Sequence, residues 1–109
     1  MKRTLLNLGI SPALKGFDYI VDCITAIKEH GRVKTTWLYT NVAKKHNTTA
    51  FRVERCIRHA IEVAFDRGDF KLLDEIFGYS YNADRGRPTN SEFLYTLAMH
   101  DDEKSVEND

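Results

Sequence analysis

The sequence predicts an all-α protein, a compact six-helix bundle that contains a helix-turn-helix. Apolar residues recur at helical spacing in every periodic segment, and no alternating strand pattern persists along the chain. Glycine, proline or a capping residue separates each segment from the next. At 109 residues, the chain has the length of a single domain with its own core. We expect one domain over residues 1–100 and a disordered acidic tail over residues 101–109.

Local start and stop signals predict where the six helices begin and end. Ser11-Pro12 is a start signal for the second helix, and Thr35 or Thr36 can cap the third. Thr89–Glu92 is a capping box for the sixth. Glycines stop four of the helices: Gly9, Gly31, Gly68 and Gly78. The predicted helices cover about residues 3–8, 12–29, 35–46, 50–67, 70–77 and 90–99.

Residues 42–57 have the pattern of a helix-turn-helix. Asn47 falls where the turn needs a left-handed backbone, which Asn tolerates better than most residues. Thr49 can cap the second helix. Val53 and Ile57, one turn apart, then pack that helix against the first. In such a motif, the N-terminal residues of the second helix meet base edges in the major groove of duplex DNA.

The outward side of that second helix carries residues that can read bases. Arginine can donate two hydrogen bonds to guanine, and glutamate can accept one from cytosine or orient a neighbouring arginine. The candidate base contacts are Phe51, Arg52, Glu54 and Arg55. Phosphate contacts position a protein without reading sequence. The candidates for this role are Lys44, Lys45, Thr48, Thr49, Arg58, His59, Arg67, Arg85 and Arg87. Each of these can equally be an exposed charge or a helix cap.

The net charge of zero hides an uneven distribution. Residues 101–109 contain five acids and one lysine, a charge of −4, whereas the first 100 residues contain 15 bases and 11 acids, a charge of +4. Within residues 44–67, six bases face three acids. This is the weak electrostatic footprint of a small DNA-binding domain, although a solvated helix face gives the same count.

Other functional classes find little support in the chain. Cys23 and Cys56 lie 33 positions apart without a Cys-x-x-Cys motif, so we expect reduced thiols and no metal site. No glycine-rich phosphate loop, nucleophile elbow or carboxylate pair predicts an enzyme or a cofactor. No apolar run of membrane length or signal peptide is present, and we expect a cytoplasmic, nucleoid-associated protein.

Several motifs together resemble the C-terminal effector domain of the stage-zero sporulation protein A family, the response regulators of endospore formation. The strongest are Asn47-Thr48-Thr49-Ala50, Arg52-Val53-Glu54-Arg55 and the segment 57–64. Further matches are Lys15-Gly16-Phe17, Ala43-Lys44-Lys45, Arg67-Gly68, Phe77-Gly78-Tyr79 and Pro88–Phe93. The resemblance covers about residues 5–99, and a set of motifs this long and ordered is highly specific.

The resemblance implies a six-helix domain that binds duplex DNA at a TGTCGAA-like box. By position, Arg52, Glu54 and Arg55 would contact bases, and Arg58, His59 and Thr49 would lie near the backbone. The resemblance also implies a contact between the sigma subunit of RNA polymerase and residues 69–79. The candidates there are Leu72, Leu73 and Glu75, although the leucines could equally belong to the core.

Two departures from the family pattern bear on function. Phe51 stands where the family has a small residue, and its ring could contact a thymine methyl group or push the helix out of register. The family's receiver domain is not part of this sequence, which is either a fragment or, as we expect, a natural one-domain relative that binds without phosphorylation. We expect a monomer in solution or a weak dimer on tandem sites.

The sequence therefore predicts a sequence-specific transcription regulator that catalyses no reaction. The alternative is a protein-interaction module that modulates RNA polymerase or the full-length regulator and binds DNA only weakly.

Overall fold

Six α-helices form the domain, and a computed structural model describes it over residues 1–78 and 86–107, with side chains described to residue 101. The helices are α1 (Lys2–Asn7), α2 (Lys15–His30), α3 (Thr35–Lys45), α4 (Ala50–Arg67), α5 (Phe70–Phe77) and α6 (Asn90–Glu107). The described residues contain no strand, so the predicted all-α six-helix fold is confirmed. None of the helices in this described part is long and apolar enough to cross a membrane.

The best-predicted helix ends are those with capping residues. At the start of α4, the Thr49 hydroxyl accepts a hydrogen bond from the Arg52 N–H at 3.2 Å. Both α4 and α5 end at the glycines predicted to stop them. At the start of α6, the Thr89 N–H donates to the Glu92 carboxylate at 2.8 Å, and the Glu92 N–H donates to the Thr89 hydroxyl at 3.1 Å. This reciprocal pair confirms the predicted capping box.

Two of the predicted helix starts were wrong. Ser11-Pro12 begins a turn, and α2 starts only at Lys15. Neither Thr35 nor Thr36 caps α3, because Lys34 is the N-cap and no side chain caps the helix.

In place of a helix cap, Tyr95 on α6 holds the backbone just before α3. The Val33 N–H donates to the Tyr95 hydroxyl at 2.9 Å, and that hydroxyl donates to the Val33 carbonyl oxygen. The segment that enters α3 is therefore held by a distant helix.

The end of α6 also differs from the prediction. The helix continues to Glu107 instead of ending near Met99. No Gly or Pro follows Met99 to stop the helix. Asp101 also pairs with the N-terminal amino group of Met1 at 3.7 Å and with the Lys28 ammonium group. Residues 79–85, with the candidate phosphate contact Arg85, and residues 108–109 lie outside the described part.

The packing of α2 on α4 sets the position of the candidate site. A Cβ at Gly16 would lie 2.4 Å from the Cys56 carbonyl oxygen and 3.0 Å from the Ala60 Cβ, so only glycine permits this approach. The close contact brings Lys15, the first residue of α2, beside the outward face of α4.

The core joins all six helices. Phe77 of α5 and Phe93 of α6, both fully buried, stack with their ring centroids 5.0 Å apart. Cys23 and Cys56 are free thiols. Cys23 belongs to the core, and burial raises the pKa of its thiol to about 12.

Candidate nucleic-acid interface

The connection between α3 and α4 has the geometry that the helix-turn-helix pattern predicts. Asn47 has a φ of 53°, the left-handed value expected for it, and is the one non-glycine residue with positive φ in the described chain. The Thr48 N–H donates to the Ala43 carbonyl oxygen at 2.9 Å and closes the turn. Because Thr49 then caps α4, the second helix starts directly after the turn.

The two faces of α4 separate core from surface. Val53, Ile57 and Ala60 are fully buried, as predicted. The exposed side of the helix carries the candidate base contacts together with two candidate phosphate contacts. They are Phe51, Arg52, Glu54, Arg55, Arg58 and His59. All the predicted base contacts therefore lie on one accessible surface at the start of the helix.

Arg55 lies on the ridge between two grooves. One groove is lined by the turn residues 47–49 together with Phe51, Arg52, Arg55 and Cys56. The other is lined by residues 14–16 of the α2 start together with Arg55, Cys56 and His59. The second groove also contains Lys15, which the sequence pattern does not mark as a candidate. No local signal could have found it, because only the tertiary packing of α2 on α4 brings Lys15 beside Arg55 and His59.

Some of the predicted phosphate contacts have partners within the protein. The Lys45 ammonium group lies 3.0 Å from the Asp22 carboxylate. The Arg87 guanidinium lies 2.6 Å from the Asp66 carboxylate, whose hydrogen bond and charge raise the Arg87 pKa above its ordinary value. Such cations must exchange a partner before they bind a phosphate.

Arg58 and Asn90 connect α4 to α6. The Arg58 Nε donates to the Asn90 Oδ1 at 3.2 Å, and the Asn90 Nδ2 donates to the Glu54 carbonyl oxygen at 3.1 Å. Asn90 is only 5% exposed, so this polar side chain belongs to the packing between the two helices. The capping-box pattern predicts Asn90 only at the start of α6, and nothing in the sequence predicts this bridge.

Other candidates make no such contact. Within residues 1–78 and 86–101, five of the basic candidate side chains have no ion pair and no hydrogen bond. They are Lys44, Arg52, Arg55, His59 and Arg67. The carboxylate of Glu54 likewise pairs with neither Arg55 nor Arg58 there, so the structure does not support its suggested role in orienting an arginine. The Arg55 guanidinium instead lies over the Phe51 ring, 5.6 Å from the centroid.

A polar cluster on α2 holds the end of α3 just before the turn. The Asp22 carboxylate binds both Lys45 and the His46 ring, and His46 packs edge-on against Tyr19 with ring centroids 5.0 Å apart. Partial burial disfavours ionisation of Asp22, but hydrogen bonds from His46 and Lys45 and their charges outweigh it, so the Asp22 pKa lies below its ordinary value. Asp22 and His46 lie 24 positions apart, too far for sequence spacing to predict the contact.

The candidate polymerase contacts on α5 are only partly accessible. Leu73 is 4% exposed and packs in the core, which corrects its assignment as a contact residue. Leu72 is half-buried and Glu75 is exposed. Phe70, at the start of the same helix, is 78% exposed and was missed.

The comparison with protein families identifies the domain. The family model described as the C terminal of the sporulation initiation factor Spo0A matches residues 1–100 of the 109-residue chain. That family consists of DNA-binding domains that regulate transcription and is not a family of enzymes. This protein belongs to the Spo0A C-terminal family, the DNA-binding effector domains of sporulation regulators.

Proposed function

We propose that this domain recognises a TGTCGAA-like box by placing the start of α4 in the major groove. The observation that carries the proposal is the exposed pair Arg52 and Arg55, which follows the turn and has no ion pair in the described chain. Each guanidinium can donate two hydrogen bonds to a guanine. In the proposal, Glu54 accepts a hydrogen bond from a cytosine beside them.

The two grooves beside Arg55 fit the two phosphate strands that border a major groove. On the turn side, Lys44, Thr48 and Thr49 would contact one strand. On the other side, Lys15 and His59 would contact the opposite strand. Charge neutralisation at each strand would add affinity without sequence preference.

The contribution of Lys15 can be tested separately. We expect Lys15→Gln to weaken binding to specific and random DNA alike, because a phosphate contact does not read sequence. Lys2→Gln is the matched control, because Lys2 lies near the far end of α2. Its neighbour Met1 pairs with Asp101, which also pairs with Lys28. Lys28 lies 13 residues along α2 from Lys15, a distance of about 20 Å at the helical rise. If Lys15→Gln and Lys2→Gln weakened DNA binding equally, Lys15 would not belong to the interface.

Arg58, Lys45, Arg87 and Arg67 would have secondary roles. The first three already contact Asn90, Asp22 and Asp66 respectively. Arg67 lies 15 residues after Arg52 on α4, roughly 22 Å along the helix axis, so it can reach only flanking DNA.

Binding to the box and to a scrambled duplex at the same salt concentration tests the proposal. Two arginine–guanine contacts should give a preference of about 100-fold for the box. Equal, weak binding to both duplexes would overturn specific recognition. Measurement of stoichiometry on one-box and two-box duplexes tests the expectation of a monomer that forms a weak dimer on tandem sites.

A second candidate function is contact with RNA polymerase through α5. The observation that favours it is Phe70, which exposes 78% of its surface at the start of that helix, where Glu75 is also exposed. Binding of purified sigma subunit to the wild type and to Phe70→Ser tests this candidate. Unchanged binding would exclude Phe70 from such a contact.

A further inference from the structure

The side chains of Phe51 and Arg55 contact one another on the exposed face of α4. Arg55 Cζ lies over the Phe51 ring, 5.6 Å from its centroid, and the two residues are one helical turn apart. A cation within about 6 Å of an aromatic face is attracted by the ring quadrupole. Phe51 is nevertheless 66% exposed, so its ring contributes little to the core.

This contact restrains the arginine while leaving its hydrogen-bonding edge accessible. The N–H donors of a guanidinium lie in its plane, whereas the ring covers one face. Within the described chain, no carboxylate or carbonyl group occupies those donors. An arginine that is already restrained loses less conformational freedom when it binds.

We propose that Phe51 is a specificity-determining residue that positions Arg55 for its contact with a guanine. This inference rests on the proposed function, because it needs Arg55 at a base edge. It differs from a direct contact between the ring and a thymine methyl group, which does not involve Arg55. It also gives a physical role to the residue at which this chain departs from the family pattern.

Two variants separate the positioning role from simple apolar contact. Phe51→Tyr keeps the aromatic face, whereas Phe51→Leu keeps apolar surface and helix propensity but removes the ring. The probes are duplexes with the box in which each guanine in turn is replaced by 7-deazaguanine, which lacks the N7 acceptor. Because Phe51 is mostly exposed, thermal melting should be the same for all three proteins.

We expect 7-deazaguanine, placed where Arg55 contacts a guanine, to lower the affinity of the wild type about 10-fold. Phe51→Tyr should show the same loss, and in Phe51→Leu the loss should be smaller by about three-fold. Affinity for random DNA should change little in either variant. In the free protein, the NMR signals of the Arg55 side chain should carry a ring-current shift that disappears in Phe51→Leu.

Two outcomes would overturn the inference alone while box preference persists. One is an equal loss for wild type and Phe51→Leu at every 7-deazaguanine. The other is a Phe51→Leu defect that is reproduced in the wild type by replacing a thymine with deoxyuridine, since that result assigns the ring to a methyl contact. Absence of any box preference in the wild type would instead overturn the proposed function, and the inference with it.

Discussion

The cations around the candidate interface fall into an inner group and a perimeter group that differ in what they contact. The inner group, Lys44, Arg52 and Arg55, makes no ion pair in the described chain. The perimeter group, Lys45, Arg58 and Arg87, contacts Asp22, Asn90 and Asp66. Both groups are exposed and basic, so exposure and charge do not distinguish them. The difference lies in the hydrogen-bond donors left available to a ligand.

The two groups should respond differently when a nucleic acid binds. An inner cation with unused donors gains a partner when a nucleic acid arrives. A perimeter cation must give up an existing one, at small cost for an exposed ion pair, which contributes about 0–1 kcal/mol. Mutations in the inner group should therefore change binding more than mutations in the perimeter group do.

The largest expected effect belongs to the inner group. Arg55→Ala should remove about 1–3 kcal/mol of discrimination between the box and its variants, because that is the usual value of one bidentate base contact. Affinity for random DNA should fall much less. Titration of box and scrambled duplexes at one salt concentration measures both quantities. A proportional loss on both duplexes would show that Arg55 contacts phosphate instead of a base.

Lys44 and Lys45 give the next test, because they are adjacent in sequence but belong to different groups. Lys44→Gln should weaken binding to all DNA and lower the slope of log affinity against log salt by about one unit. Lys45→Gln should have a smaller effect, because Asp22 already neutralises Lys45. In an Asp22→Asn background, the effect of Lys45→Gln should grow towards that of Lys44→Gln. Equal salt slopes for both single variants would erase the distinction between the groups.

The perimeter prediction concerns stability. Arg58→Ala should lower the free energy of unfolding by about 1 kcal/mol, because it removes one partly buried hydrogen bond. Asn90→Ala should lower it by more, because it removes two. The pair should show a coupling of at least about 0.5 kcal/mol in a double-mutant cycle from urea denaturation. Additive losses, or a loss of box discrimination in Arg58→Ala at constant stability, would place Arg58 in the inner group.

How far the sequence predicted these features depended on the range of the interactions. Both ends of α4 were predictable because Thr49 and Gly68 act on adjacent residues. The exposed face with Arg52 and Arg55 followed from helical periodicity alone. These features need no knowledge of the tertiary fold.

The missed features depend on contacts between distant segments. His46 finds Asp22 across 24 positions, and Arg58 finds Asn90 across 32. The choice between a contact surface and the core stayed open for Leu73 for the same reason, since the packing of α5 against other helices decides which of its apolar residues are buried. The division into inner and perimeter cations was likewise unpredictable, because it depends on where acidic and amide partners lie in the folded chain.

The smallest expected effect is a pH dependence of the free energy of unfolding that comes from Asp22. Protonation of Asp22 removes the charged partner of Lys45, a perimeter cation. The folded-state pKa of Asp22 lies below its unfolded value of 3.8, because contacts with His46 and Lys45 favour the carboxylate. Its stabilising contribution is therefore complete above about pH 4 and is lost as the pH falls through the folded-state pKa. The free energy of unfolding, measured by urea denaturation at pH 7 and pH 3, should fall less in Asp22→Asn than in the wild type.

Asp18→Asn is the control and should behave like the wild type. Asp18 is exposed on the same helix and has no ion pair in the described part of the chain. If wild type and Asp22→Asn lost the same free energy between the two pH values, the carboxylate would not hold the end of α3, and the assignment of Lys45 to the perimeter would fail with it.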